Sequence, residues 1–240
     1  MSSTRRKPIV AIDGPAASGK STTARAVARA LGFRHIDSGA LYRAMTVIAL
    51  DLSDRPERWR AEDLVGRARV LGLALGPAGG DGPAEVLLGG AAVGQRLRSD
   101  SVTREVSRVA AMPEVREFVN ALIRAAVPDG GAVLDGRDIG TAVFPDAEVK
   151  VFLVADPAER ARRRLAERGT AADARSVRSE ADALTGRDVK DASRRVAPLA
   201  RAADAVELDT TALSFDEQVR TVLELVRRHG ASLDREGGAG

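Results

Sequence analysis

An apolar run, Ile9-Val10-Ala11-Ile12, passes through Asp13 into Gly14-Pro15-Ala16-Ala17-Ser18-Gly19-Lys20-Ser21, a G-x-x-x-x-G-K-S sequence. Its glycines let the backbone wrap so that successive N–H groups converge on an anion. Lys20 then reaches the β- and γ-phosphates of a nucleotide, and the Ser21 hydroxyl meets a magnesium ion. A helix expected to open near Lys20 adds its unpaired N–H groups and the positive end of its dipole. A strand before and a helix after separate such a phosphate-binding loop (P-loop) from a glycine-rich turn that matches by chance. Both contexts are legible here, so the chain is constrained to a strand–loop–helix unit in an α/β fold.

With 240 residues, 44% of them hydrophobic, the chain can fill one α/β domain with insertions or two small domains. It has no cysteine and only two histidines, His35 and His229. Thiolate metal sites are therefore excluded, and a histidine-based triad or metal centre is not expected. Catalysis is left to Arg, Lys, Asp, Ser and a bound metal. The basic N-terminus precedes an apolar stretch that ends at Asp13, too short for a secretory signal. No run reaches membrane-spanning length, and a cytoplasmic location with no membrane partner is expected. Charge is uneven: Arg160 to Arg201 holds twelve basic and six acidic residues, a local +6 against a net +3. Clustered guanidinium groups suit phosphate, although a solvated helix face accounts for part of the run.

The pattern along the chain alternates strand and helix. Strands are expected at Ile9–Ile12, around Val133-Leu134, at Val149–Val154 and at Val206–Leu208. Helices are expected over Lys20–Leu31, Gly39–Leu50, Ala158–Arg168 and Ser214–Arg228. This implies a parallel sheet with helices on both faces. The stretch from about Leu64 to Ser101 breaks the rhythm with short apolar runs and glycine turns, among them Gly79-Gly80-Asp81-Gly82. It reads as a small antiparallel insertion. The core is expected over residues 8–229, with the insertion at about 64–110, an Arg-rich lid at about 158–195, and flexible tails at 1–7 and 230–240.

Four further segments carry candidate chemistry. In Asp37-Ser38-Gly39-Ala40-Leu41-Tyr42-Arg43, Asp37 or Ser38 could simply cap a helix. Alternatively, Ser38 and Arg43 face the loop across a cleft. Asp135-Gly136-Arg137-Asp138-Ile139-Gly140 follows a buried strand, at the carboxyl end where α/β folds place ligands. It reads either as a salt-bridged turn or as a site in which Asp135 holds magnesium through water. Ser107 and Arg116 sit on expected helices, and Arg116 alone would read as a surface arginine. Arg187, Asp191 and Arg194, at i, i+4 and i+7, fall on one helix face, as an ion-pair ladder would also require.

Taken in order, the P-loop, D-S-G-A-L-Y-R, D-G-R-D-I-G-T-A-V-F-P and R-D-x-x-D-x-x-R-x-x-x-P-L resemble the bacterial cytidylate kinases, nucleoside monophosphate kinases of the P-loop type. The resemblance runs from about Pro8 to Arg228. It implies transfer of the ATP γ-phosphoryl group to CMP or dCMP. Gly14, Pro15, Ala16, Ala17, Ser18, Gly19, Lys20, Ser21 and Thr22 would hold ATP phosphates, with Mg²⁺ at Ser21 and Asp135. Ser38, Ser107, Arg116, Asp138, Arg187 and Asp191 would recognise cytosine and ribose. Arg43, Arg137 and Arg194 would clamp the acceptor phosphate and the moving group, making Lys20, Arg137 and Arg194 the catalytic set. In Arg160-Ala161-Arg162-Arg163-Arg164, Arg160 and Arg164 would serve adenine and phosphate. Lys190 stands where many members of the family carry arginine in the lid, a departure that keeps the positive charge but gives up bidentate contact.

Rival readings are a kinase for another nucleotide or small metabolite, a GTP switch and a nucleic-acid binder. The switch needs N-K-x-D, whereas the single asparagine, Asn120, precedes Ala121. One Trp and one Tyr offer little for bases to stack on, so nucleic acid is not an expected partner. A monomer is expected.

Overall fold

The first strand, Lys7–Asp13 (β1), sits at the centre of a five-stranded parallel sheet because its apolar residues are buried on both faces. A computed structural model of the chain describes residues 7–77 and 83–236, and side chains as far as His229. Sheet order is β2-β6-β1-β7-β8, from Arg34–Asp37 (β2), Gly130–Gly136 (β6), Val149–Val154 (β7) and Val206–Asp209 (β8). Alternation along β1 divides the core. Val10 and Ile12 pack with Val27 of Lys20–Leu31 (α1) and Val222 of Phe215–Glu236 (α8). Ile9 and Ala11 pack on the other side with Ser38–Leu52 (α2), Ala61–Val70 (α3) and Pro113–Ala125 (α5). Helices therefore cover both faces, as expected. Among the described residues no helix is long and apolar enough to cross a membrane.

A second, antiparallel sheet holds Ala74–Leu75 (β3), Val86–Leu88 (β4) and Ala91–Ala92 (β5). The Ala84 N–H donates to the His35 carbonyl, tethering this sheet to β2. Its start differs from the expectation, because residues 64–70 are helical. Leu64, Val65 and Ala68 bury one face of α3, a helical spacing masked by the glycines that follow. The expected turn at Gly79–Gly82 lies outside the described residues. So do residues 1–6 and 237–240 of the expected tails. Lys7, however, pairs with Gly130 in the sheet, and α8 continues to Glu236, so the ordered elements extend beyond 8–229 at both ends.

Three elements complete the frame of the cleft. Asp100–Val109 (α4) is capped by Ser99, whose side chain accepts from the Val102 N–H. Pro157–Glu167 (α6) begins at Asp156, which accepts from Ala158 and Glu159, with Pro157 preset for the first turn. Ala174–Ala192 (α7) packs along α6.

Candidate active site

The P-loop joins β1 to α1, and its glycines are required. A Cβ on Gly14 would lie 2.1 Å from the Leu153 carbonyl oxygen, and Gly19 caps α1 at φ 92°. Ala17 adopts φ 58°, a left-handed conformation that non-glycine residues rarely take. Asp13 accepts from the backbone N–H groups of Ile139 (2.9 Å) and Gly140 (2.7 Å), locking the loop's entrance to the turn after β6. Burial pushes the Asp13 carboxyl up to about 6. Lys20 is buried, with Nζ donating to the Pro15 carbonyl. Burial, aided by the nearby Arg137 charge, pulls its ammonium down to about 7.

Asp135 receives contacts from several directions. Ser21 Oγ donates to its Oδ2, His35 Nε2 lies 2.7 Å from its Oδ1, and Ser38 Oγ donates to its carbonyl at 2.9 Å. The register that sets Asp37 beside Asp135 in adjacent strands also concentrates charge. Asp37 is pushed up to about 6 by burial and by Asp135. It nonetheless caps α2, accepting from Ala40 N–H at 3.2 Å. His35 was not anticipated as a site residue. Its only signal is its place two residues before the Asp37 of D-S-G, in the same strand, and its partner lies 100 residues away.

Across the cleft stands a wall of guanidinium groups. Arg43 donates to the Leu97 carbonyl (3.1 Å) and Thr103 Oγ1 (3.0 Å), tying α2 to the insertion. Arg116 is not on the surface but 2% exposed, which overturns the bland reading of that residue. It pairs with Asp138, donates to the Ala110 carbonyl at 3.0 Å and lies 5.1 Å over the Tyr42 ring. Asp191, buried on α7, accepts from Ser107 (3.3 Å), Arg137 (3.1 Å) and Arg194. Arg187 lines the same cleft. Burial and the Arg137 charge lower it to about 10, and its buried Nε has no hydrogen-bond partner among the described residues.

Two expectations need correction. Arg194 does not share the helix with Arg187 and Asp191, because α7 ends at Ala192 and the chain turns back so that the Leu199 N–H reaches the Asp191 carbonyl at 2.9 Å. Arg194 still meets Asp191, through the turn rather than helical spacing. Arg160, expected with Arg164 to serve adenine or phosphate, is 5% exposed behind the loop, donating to the Ala16 carbonyl and paired with Asp188. Arg164 does line the cleft, one face of it held by Glu167 at 3.0 Å. The motif's spacing does not distinguish Asp188 from its charged neighbours, and its partners are Arg160 and the Ala16 N–H.

The cleft encloses about 940 Å³ between P-loop, insertion and α7, at the upper end of the range for small-molecule sites. Lys20, Arg43, Arg98, Arg137, Arg164, Arg187 and Arg194 line it, a set suited to a polyanion. A family model described as cytidylate kinase matches residues 10–228. A cytidylate kinase of Geobacillus sp. (strain WCH70) is 44% identical over 220 residues, 90% of this chain and 95% of that one. One from Chlorobaculum tepidum is 43% identical over 227 residues, covering 93% and 94%. One from Limosilactobacillus fermentum is 46% identical over 214 residues, covering 88% and 91%. The match takes in both walls of the cleft together with the insertion between them, and on that extent the chain belongs to the cytidylate kinase family.

Proposed function

We propose that the protein transfers the γ-phosphoryl group of ATP to CMP or dCMP, giving ADP and CDP or dCDP. The observation that carries this reading is one cleft with a P-loop on one wall and, on the other, arginines held by buried carboxylates. A single phosphate site would not need the second wall. In this reading Gly14–Thr22 hold the donor phosphates. Arg116 with Asp138, and Arg187 with Asp191, Ser38 and Ser107, take the cytosine and ribose, while Arg43, Arg137 and Arg194 meet the phosphates.

Phosphoryl transfer passes through a loose transition state, so positioning and charge supply the catalysis. An acceptor that is itself a phosphate anion is a competent nucleophile at neutral pH, and no protein base is required. Lys20, Arg137 and Arg194 surround the moving group with fixed positive charge. Acidic partners hold those arginines in place before substrate arrives, so little reorganisation is needed during the reaction.

The donor set at the foot of α1 fits magnesium. Ser21 Oγ and Asp135 Oδ2 are hard oxygen ligands already in contact, and among the described residues no cluster of three or more metal-ligating side chains competes with them. A sparse protein contribution suits Mg²⁺, which keeps waters and binds substrate phosphates. When bound, it would neutralise charge on the β- and γ-phosphates. His35 orients Asp135 for this task. His35→Ala should raise the Mg²⁺ concentration for half-maximal turnover by about tenfold or more. A Mg²⁺ titration at saturating nucleotides that matches wild type would remove His35 from the site.

The reading itself is tested by coupled ADP release with CMP, dCMP, UMP and AMP as acceptors. CMP or dCMP should give the highest kcat/KM. Absence of stimulation by either would sink it.

A further inference from the structure

One contact between α7 and the P-loop has no part in holding phosphate. Asp188 Oδ1 accepts the Ala16 backbone N–H at 3.0 Å, and Asp188 Oδ2 pairs with Arg160 Nη1. The same Arg160 nitrogen donates to the Ala16 carbonyl at 3.0 Å. One ion pair therefore grips residue Ala16 at both its N–H and its C=O. Its members come from different helices, Arg160 from α6 and Asp188 from α7. Their side chains are 6% and 15% exposed, so solvent does not compete strongly. Apolar packing runs alongside, because Ala16 clusters with Ala161 and Leu184, with Ala17 and Ala181 against them.

The position of Asp188 on α7 gives this grip its meaning. It lies between Arg187 and Asp191, the residues assigned above to the acceptor nucleotide. Any ligand that fixes the last turns of α7 also fixes Asp188. Ala16, in turn, precedes Ala17, whose φ of 58° shows that the loop does not hold its shape from local preference alone.

We infer that Asp188, with Arg160, is a positioning residue that couples the two nucleotide sites: an acceptor that orders α7 sets the Ala16 peptide and so tightens the donor phosphate site. The inference rests on the two-nucleotide reading proposed above. Coupling of this kind is reciprocal, so donor binding tightens the acceptor by the same factor. An isolated structural salt bridge would alter stability without linking the two affinities.

The test is calorimetric titration of the Mg²⁺ complex of AMP-PNP, a non-hydrolysable ATP analogue, with and without saturating CMP. Wild type should bind it about fivefold tighter or more with CMP present. In Asp188→Ala and Arg160→Ala that ratio should fall to within about twofold of unity, and the double variant should fall no further. CMP affinity measured alone should stay within about twofold of wild type in Asp188→Ala, which a disordered α7 would not permit. Asp188→Asn keeps an oxygen acceptor for the Ala16 N–H but loses the ion pair. It should give an intermediate ratio, and it serves as the reporter if the alanine variant fails to fold. A wild-type ratio near unity, or variants that keep the wild-type ratio, would overturn the coupling. Absence of CMP binding and of CMP-dependent ADP release in wild type would instead overturn the proposed function, so the two failures are distinguishable.

Discussion

Lys20→Met should lower turnover by about a hundredfold to a thousandfold and at the same time raise the melting temperature of the nucleotide-free protein at neutral pH. The two effects share one cause. Lys20 is 6% exposed, and the ammonium group donates to the Pro15 carbonyl at the mouth of a loop shaped for phosphate. Burial, reinforced by Arg137, takes its pKa from 10.5 down to about 7. Between those values the unfolded chain binds a proton that the native protein gives up. Native stability therefore rises as pH climbs from about 7 to 10.5, and the penalty is fully present below 7. Methionine fills the same space without a charge to desolvate. The variant should melt higher at pH 7 and show a flatter dependence of melting temperature on pH up to about 10. Donor phosphates repay the lysine's cost in wild type, so ATP should raise the wild-type melting temperature more than the variant's. Turnover near wild type would remove Lys20 from phosphoryl transfer. An unchanged pH slope would show that the buried charge is not the source of the penalty.

What is legible in the sequence is local in the chain. Ile9–Ile12 and Val149–Val154 announce buried parallel strands because every residue faces a helix layer or the sheet. Arg34–Asp37 does not, since Ile36 is its one aliphatic residue. The strand exists because β6 pairs with it and the insertion covers it. The P-loop and the D-G-R-D turn are likewise legible because each is a contiguous motif, although Ser21 meets Asp135 114 residues away and Arg137 meets Asp191 54 residues away. The support around them is long-range: His35 reaches Asp135 across 100 residues and Ala16 reaches Asp188 across 172. No spacing rule connects such pairs. Arg160 shows the same limit within a run of arginines, where composition advertises phosphate but helix phase decides which side chains face it. Arg160, Ala161 and Leu165 form the buried face of α6, and Arg164 is left at the cleft.

Arg116→Ala should destabilise the fold by about 3–5 kcal/mol and raise the CMP requirement more than that for ATP. Its guanidinium neutralises Asp138, 3% exposed, and braces the Ala110 carbonyl and the Tyr42 ring. Truncation leaves a buried carboxylate without its counter-charge, and that stranded charge accounts for most of the lost stability. A change in CMP kinetics could then reflect loosened packing rather than lost recognition. The double variant Arg116→Met/Asp138→Asn separates the two, because it removes both charges while keeping their volume. Its melting temperature should recover most of the loss, as neutral replacements of buried ion pairs commonly do. Its KM for CMP should nevertheless stay about tenfold or more above wild type, since hydrogen bonds to charged groups on the cytosine side are gone. KM for ATP should change less, because Arg116 and Asp138 make their hydrogen bonds and ring contact with each other, the Ala110 carbonyl and Tyr42. Recovery of both stability and CMP affinity would reduce the pair to a structural brace. Equal losses for CMP and ATP would mean that Arg116 and Asp138 serve the shape of the whole cleft rather than its acceptor half.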